Sequence, residues 1–308
     1  MAAPGATPNY GAPLVPYLPS ALGKVETVRG VRMCVLGLIL DIVLGSFALL
    51  GSGAALLVVG ADPLAMLGAM LPGAFDPAIS GGPPSLLILG GAVIGLLITF
   101  VINFILALIS TSEIYRGADE YGPEHGRNSR RGVVFMWVGT ALSTTAAVLV
   151  AYLAIAGRTI FLPLAPREPI GFGGQITGTV FVPLLATVLW TGGVAAKAQM
   201  YRHMVRSLQP PQTRRWSDAA SIVIPVLGGV GIAIVGFATL GLIALLQGPP
   251  GSGGAAEFTS LERLLVGGLF FPTGLAVAGY AVFLFIYQRT SQRLAEGLTA
   301  ARAMVQPR

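Results

Sequence analysis

The stretch MCVLGLILDIVLGSFALLGSGAALLVVG runs from Met33 to Gly60 and contains a single charged side chain, that of Asp41. It is longer than the roughly 20 residues that an α-helix needs to cross about 30 Å of hydrocarbon. More than thirty residues precede it, so it begins too late, and extends too far, for the apolar segment of a secretory signal peptide. The sequence therefore predicts a retained transmembrane helix here.

Five further apolar runs follow along the chain, and each is long enough to cross a bilayer. With 54% hydrophobic and 10% charged residues, the chain departs far from the composition of a soluble domain. We predict an all-α integral membrane protein with six transmembrane helices. Their predicted bounds are 33–60, 85–110, 133–156, 175–196, 219–247 and 264–287.

The distribution of basic residues predicts the orientation of these helices. One alternating set of connections and tails contains sixteen of the nineteen Lys and Arg residues, and the other contains only Arg158, Arg167 and Arg263. Short loops rich in Lys and Arg stay on the cytoplasmic side. Both termini are therefore predicted to be cytoplasmic, in a multi-pass protein of the cell membrane.

Residues 1–20 contain no charge and five prolines, which predicts a disordered, Pro-rich cytoplasmic tail. We assign residues 21–308 to one six-span transmembrane domain. The last span is expected to continue as an amphipathic cytoplasmic helix over 288–305, since its apolar residues recur at helical spacing.

Three tyrosines lie 86 residues apart, each at the inner end of an even-numbered span: Tyr115, Tyr201 and Tyr287. Three tandem helical hairpins would produce this spacing. A tyrosine followed by arginine is also common wherever a helix leaves the membrane on the cytoplasmic side. The 86-residue spacing is consistent with both interpretations.

Asp41 is the only acidic residue within the predicted spans, and such a carboxylate must face protein or water, because facing lipid costs about 3 kcal/mol. Two polar residues are predicted within reasonable depth of it: Asn103, about seven residues from the inner end of the second span, and Lys197, about 6 Å inside if Tyr201 marks the interface. We interpret the three as a candidate intramembrane polar site. One hypothesis is a proton or cation site, and the other is a structural clamp between helices.

A second candidate site lies on the predicted cytoplasmic surface and consists of four arginines: Arg202, Arg206, Arg214 and Arg215. The segment from Lys197 to Leu208 also carries Met200 and Met204 at helical spacing. A basic helix with an apolar stripe is expected to lie on anionic lipid or to bind a membrane or cytoplasmic protein. Alternatively, the arginines only determine topology.

The sequence contains no catalytic constellation. The only histidines, His125 and His203, lie in predicted cytoplasmic connections, His125 in what we interpret as a solvated loop. Without a second intramembrane aspartate, a histidine near a membrane serine, or a phosphate-binding loop, we predict no enzyme, metal or cofactor. The basic residues cluster at span ends, which does not suggest nucleic-acid binding. A transporter-like or permease-like subunit is the leading expectation, and a non-transporting scaffold or accessory subunit is the alternative.

Overall fold

The computed structural model describes residues 25–54, 84–160, 181–247 and 255–305. These residues form six helices and no strand, which confirms the all-α prediction for this part of the chain. The helices are α1 (Glu26–Ala54), α2 (Pro84–Arg116), α3 (Pro123–Ile160), α4 (Val182–Arg206), α5 (Pro211–Gln247) and α6 (Ala255–Val305). The predicted tail over 1–20 lies outside the described residues.

The helices extend beyond the predicted spans at the ends that the sequence predicts to be cytoplasmic. α3 begins ten residues before the predicted span, and α6 continues through the predicted extension 288–305 without a break. Pro211 begins α5, where a proline is tolerated because the first helical N–H has no intrahelical partner. Two stretches of the described residues, Pro123–Leu149 and Pro211–Leu245, are long and apolar enough to cross a membrane.

Consecutive helices pack as pairs: α1 on α2, α3 on α4, and α5 on α6. α1 also packs on α6, and α4 packs on both α5 and α6. The first and last helices are therefore neighbours. The apolar core lies where α1, α4 and α6 meet, and its largest fully buried side chains include Leu38, Met204, Phe283 and Tyr287.

The turn between α2 and α3 covers the beginning of α1. The Glu120 carboxylate accepts hydrogen bonds from the backbone N–H groups of Glu26 and Thr27, each at 3.2 Å. The first N–H groups of a helix lack intrahelical partners and carry partial positive charge, so a carboxylate stabilises them. Gly122 has a φ of 89°, a left-handed conformation that favours glycine, and it directs the chain into α3.

The expectation for His125 is wrong. This residue lies in the first turn of α3 and is fully buried, not solvated in a loop. Its Nδ1 is 3.1 Å from the Ser207 hydroxyl, and its ring packs edge-on against that of Tyr121. Because α3 starts ten residues earlier than predicted, the histidine is carried into the interface between α3 and the end of α4.

Candidate functional site

Asp41 lies on the face of α1 that points into the bundle. Cys34 and Leu38, seven and three residues before it, share that face and are buried. The Asp41 side chain is 11% exposed. The helical repeat therefore places the single carboxylate of the first apolar run against the neighbouring helices.

Lys197 of α4 lies directly opposite Asp41. Its Nζ is 2.7 Å from Oδ1 and 2.6 Å from Oδ2 of the carboxylate, and the lysine side chain is 27% exposed. One positive and one negative charge are thus paired across 156 residues of sequence. An ammonium that bridges both oxygens neutralises the carboxylate and makes its burial tolerable.

Asn103 of α2 supplies a second donor. Its Nδ2 donates a hydrogen bond to Oδ1 of Asp41, and the residue is only 5% exposed. The other end of the amide, Oδ1, is buried without a hydrogen-bond partner among the described residues. That oxygen faces Gly37 on α1, where an added Cβ would lie 3.3 Å from it.

Tyr201 is a fourth member, although its place in the sequence indicated only a repeat position or a residue at the membrane interface. Its hydroxyl donates to Oδ2 of Asp41 at 3.1 Å. Its position is four residues after Lys197, so both donors project from the same face of α4. In the sequence, this four-residue separation from Lys197 was the feature that could have identified Tyr201 as a donor to Asp41. We call Asp41, Asn103, Lys197 and Tyr201 the Asp41 cluster.

Aromatic side chains of α6 cover the cluster from the other side. The Tyr287 hydroxyl donates to the backbone carbonyl of Tyr201 at 2.9 Å. The Tyr280 ring packs edge-on against that of Tyr201, and its centroid lies 5.7 Å from the Lys197 Nζ. A cation over an aromatic face is attracted to its negative potential. Side chains of α1, α2, α4 and α6 therefore meet around one ion pair.

The donor and acceptor types limit what the cluster can do. Asp41 is its only carboxylate, and three donors converge on it. Among the described residues, no group of three or more His, Cys, Asp or Glu side chains is placed to hold a metal ion. A single paired carboxylate of this kind suits either exchange of a proton or a monovalent cation or a permanent clamp between helices.

No family model, curated protein or solved structure matches this chain. Its function must therefore be inferred from its own residues.

The four arginines of the second candidate site have different surroundings. Arg202 Nε and Arg206 Nη1 lie 2.6 and 3.0 Å from the same oxygen of Asp218. Arg214 donates to the backbone carbonyls of Gln209 and Ser207. Arg215 is exposed. Protein groups thus engage three of these four side chains, and a role in lipid or partner contact stays a prediction.

The apolar stripe beside these arginines is buried inside the protein, not presented to a lipid surface. Met200, Met204 and Leu208 are each at most 2% exposed, and Met204 packs at Gly132 of α3. The expectation of an amphipathic segment lying on the bilayer is therefore wrong for this stripe, because α3 and the core cover it. Helical spacing predicted the stripe but could not reveal what it packs against.

His203 lies within this basic surface. Its ring stacks on that of Phe135 at a centroid distance of 5.4 Å. Burial lowers the pKa of His203 below the ordinary histidine value, and the nearby positive charges of Arg202 and Arg131 lower it further. A neutral imidazole adds no charge to the surface at neutral pH.

Proposed function

We propose that this protein is a six-span membrane protein of the cell membrane with both termini in the cytoplasm. The positive-inside distribution of basic residues supports the orientation. Large apolar side chains on the outer faces of the helices support the membrane environment, since water disfavours such a surface. Examples are Val134 on α3, Val226, Phe237 and Leu240 on α5, and Leu36 on α1, each more than half exposed.

Reporter fusions test the topology. A reporter active only outside the cytoplasm is expected to work after Asp76 or Ser252, because these positions follow the first and fifth predicted spans. It is expected to fail after Glu124, Pro211 or Arg308. A cytoplasm-active reporter at the same five positions serves as the control and should give the complementary pattern. The reverse pattern would refute the proposed orientation.

We propose further that the protein is a transporter-like or permease-like subunit whose Asp41 cluster responds to a proton or a cation. The observation that carries this proposal is the Asp41–Lys197 ion pair. Ionisable residues are costly in a membrane interior, and those that occur there commonly mark ion or substrate pathways. The Lys197 ammonium is a tethered cation that occupies the position a mobile cation would take on Asp41.

Replacement of the Lys197 ammonium at Asp41 by a proton or a mobile cation would change the contact between α1 and α4. A proton on Asp41 removes the negative charge that holds Lys197, and a cation beside Asp41 balances that charge in place of the ammonium. Lys197 is partly exposed, so its ammonium can turn toward water when released. Binding of a proton or a cation to Asp41 would thereby shift the population toward conformations in which α1 and α4 are in looser contact.

Transport is tested with the purified protein in liposomes that contain a pH-sensitive dye. Wild-type protein is expected to dissipate an imposed proton gradient, or to exchange it for Na⁺ or K⁺. Asp41→Asn should fold but abolish this flux, since asparagine keeps the size and loses the titratable group. The matched control, Asp218→Asn, removes a carboxylate at the cytoplasmic surface and should leave the flux unchanged. Equal flux in all three proteins would contradict the role of Asp41.

One observation favours the alternative, a non-transporting scaffold or accessory subunit. Both oxygens of Asp41 have donors within hydrogen-bond distance, which also suits a permanent clamp between helices. A clamp predicts that wild-type liposomes carry no proton, Na⁺ or K⁺ flux, while Asp41→Asn changes stability alone. The two functions therefore differ in the flux of the wild-type protein.

A further inference from the structure

A groove of about 530 Å³ lies between α1 and α6, and no residue of the Asp41 cluster lines it. The first and last helices of the chain form it together, because they pack against each other. Its lining combines one cation, three neutral polar side chains and two aliphatic ones: Arg32, Gln288, Ser291, Gln292, Val35 and Leu36.

The cation in this groove lacks an acidic partner. Arg29, one turn earlier on α1, lies 3.9 Å from the Glu113 carboxylate. Arg32 is exposed and makes no ion pair within the described part of the chain. Gln288 and Gln292 project from one face of α6 and are also exposed. The groove thus offers an uncompensated positive charge beside amide groups that donate and accept hydrogen bonds.

Beside the groove, the exposed surfaces of α1 and α6 become apolar toward the bilayer interior. α1 runs outward from the cytoplasmic side, so Leu36 and Ile39 lie deeper than Arg32, and both are exposed. α6 runs inward, so Phe285, which is 55% exposed, lies deeper than Gln288. Apolar surface begins on both helices where the polar surface ends. A basic, polar surface followed by an apolar one is complementary to a molecule with an anionic head and a hydrocarbon tail.

We propose that the groove binds an anionic phospholipid of the cytoplasmic leaflet. The phosphate pairs with the Arg32 guanidinium, the headgroup hydroxyls bond to Gln288 and Gln292, and an acyl chain lies along Leu36 and Ile39. This inference rests on the membrane placement proposed above, but not on transport. It assigns specific lipid binding to α1 and α6, not to the four arginines near the α4–α5 connection, where protein groups already engage Arg202 and Arg206.

Native mass spectrometry of the full-length protein in detergent tests this site. Phosphatidylglycerol and phosphatidylcholine with identical acyl chains serve as probes, so that only the headgroups differ. Wild-type protein is expected to retain phosphatidylglycerol in preference to phosphatidylcholine. Arg32→Gln should lower phosphatidylglycerol affinity about fivefold, the equivalent of about 1 kcal/mol for one basic residue near a membrane surface. The matched control Arg130→Gln, at an exposed arginine of α3 outside the groove and outside the four-arginine site, should bind like the wild type.

Two additional arms distinguish a lipid from a free anion. Leu36→Ser should also weaken phosphatidylglycerol binding, because it removes apolar contact with the chain. Glycerol phosphate, which has the headgroup chemistry without the chains, should not displace the lipid. Displacement by glycerol phosphate would overturn the assignment in favour of a free phosphate ligand. Wild-type affinity in Arg32→Gln, an equal loss in Arg130→Gln, or no preference between the two lipids would each overturn it as well.

The variants are expected to fold, since Arg32 and Leu36 are exposed and their replacement leaves no buried group unpaired. Arg32→Lys gives an independent check and should retain most of the preference, because it keeps the charge. Failure of the membrane placement would appear separately, as a reversed or absent pattern in the reporter fusions. The proton-flux experiment with Asp41→Asn tests the transport proposal alone, and its outcome does not bear on lipid binding in the groove.

Discussion

Replacing Lys197 by methionine is expected to destabilise the protein by about 3–5 kcal/mol, the typical cost of removing one partner from a buried ion pair. The substitution leaves the Asp41 carboxylate 11% exposed, with Asn103 and Tyr201 as its remaining donors. Neither donor carries a positive charge. Equilibrium unfolding of the purified protein in mixed detergent–SDS micelles would measure the loss.

Replacing the other partner, Asp41, should destabilise the protein less. Asp41→Asn leaves an unpaired ammonium, but the Lys197 side chain is 27% exposed and can extend toward water. Combining Asp41→Asn with Lys197→Met removes both charges and should recover most of the stability lost in Lys197→Met. Such a double-mutant cycle isolates the coupling between the two residues. If the loss of unfolding free energy in the double variant equals the sum of the losses in the two single variants, the two residues are not coupled and the expectation is wrong.

The second large effect is expected from Gly30→Ala, at about 1–3 kcal/mol, the usual cost of overpacking. Gly30 lies where α1 crosses α2. An added Cβ would lie 2.8 Å from the Ser110 carbonyl oxygen and 2.9 Å from the Ile114 backbone nitrogen. Backbone atoms of a helix cannot move aside as a flexible side chain can, so the whole crossing would have to shift. The same unfolding measurement in mixed micelles applies.

Two other glycines provide matched controls for this substitution. A Cβ added at Gly229 or Gly236 in α5 meets nothing within 4 Å. Gly229→Ala and Gly236→Ala should therefore leave stability unchanged or raise it slightly, because alanine favours the helical conformation more than glycine does. If Gly30→Ala unfolds no more readily than these two variants, α1 and α2 do not approach as closely as described.

The sequence alone was sufficient for properties that depend on position along a helix axis. Long apolar runs predicted six helices, and counting residues from the inner ends placed Asn103 near Asp41 and Lys197 within reasonable depth of both. Asn103 was predictable because the second helix returns beside the first. The structure brings the three side chains together.

The tertiary structure decided what depends on the rotation and lateral arrangement of the helices. Helical spacing puts Tyr201 and Lys197 on one face of α4, but only the packing of the helices shows that this face turns toward Asp41. The Met200 and Met204 stripe packs inside the protein because α3 covers it. The groove at Arg32 exists because α6 returns beside α1. Periodicity determines which residues share a face of a helix, whereas packing between helices distant in sequence determines what each face contacts.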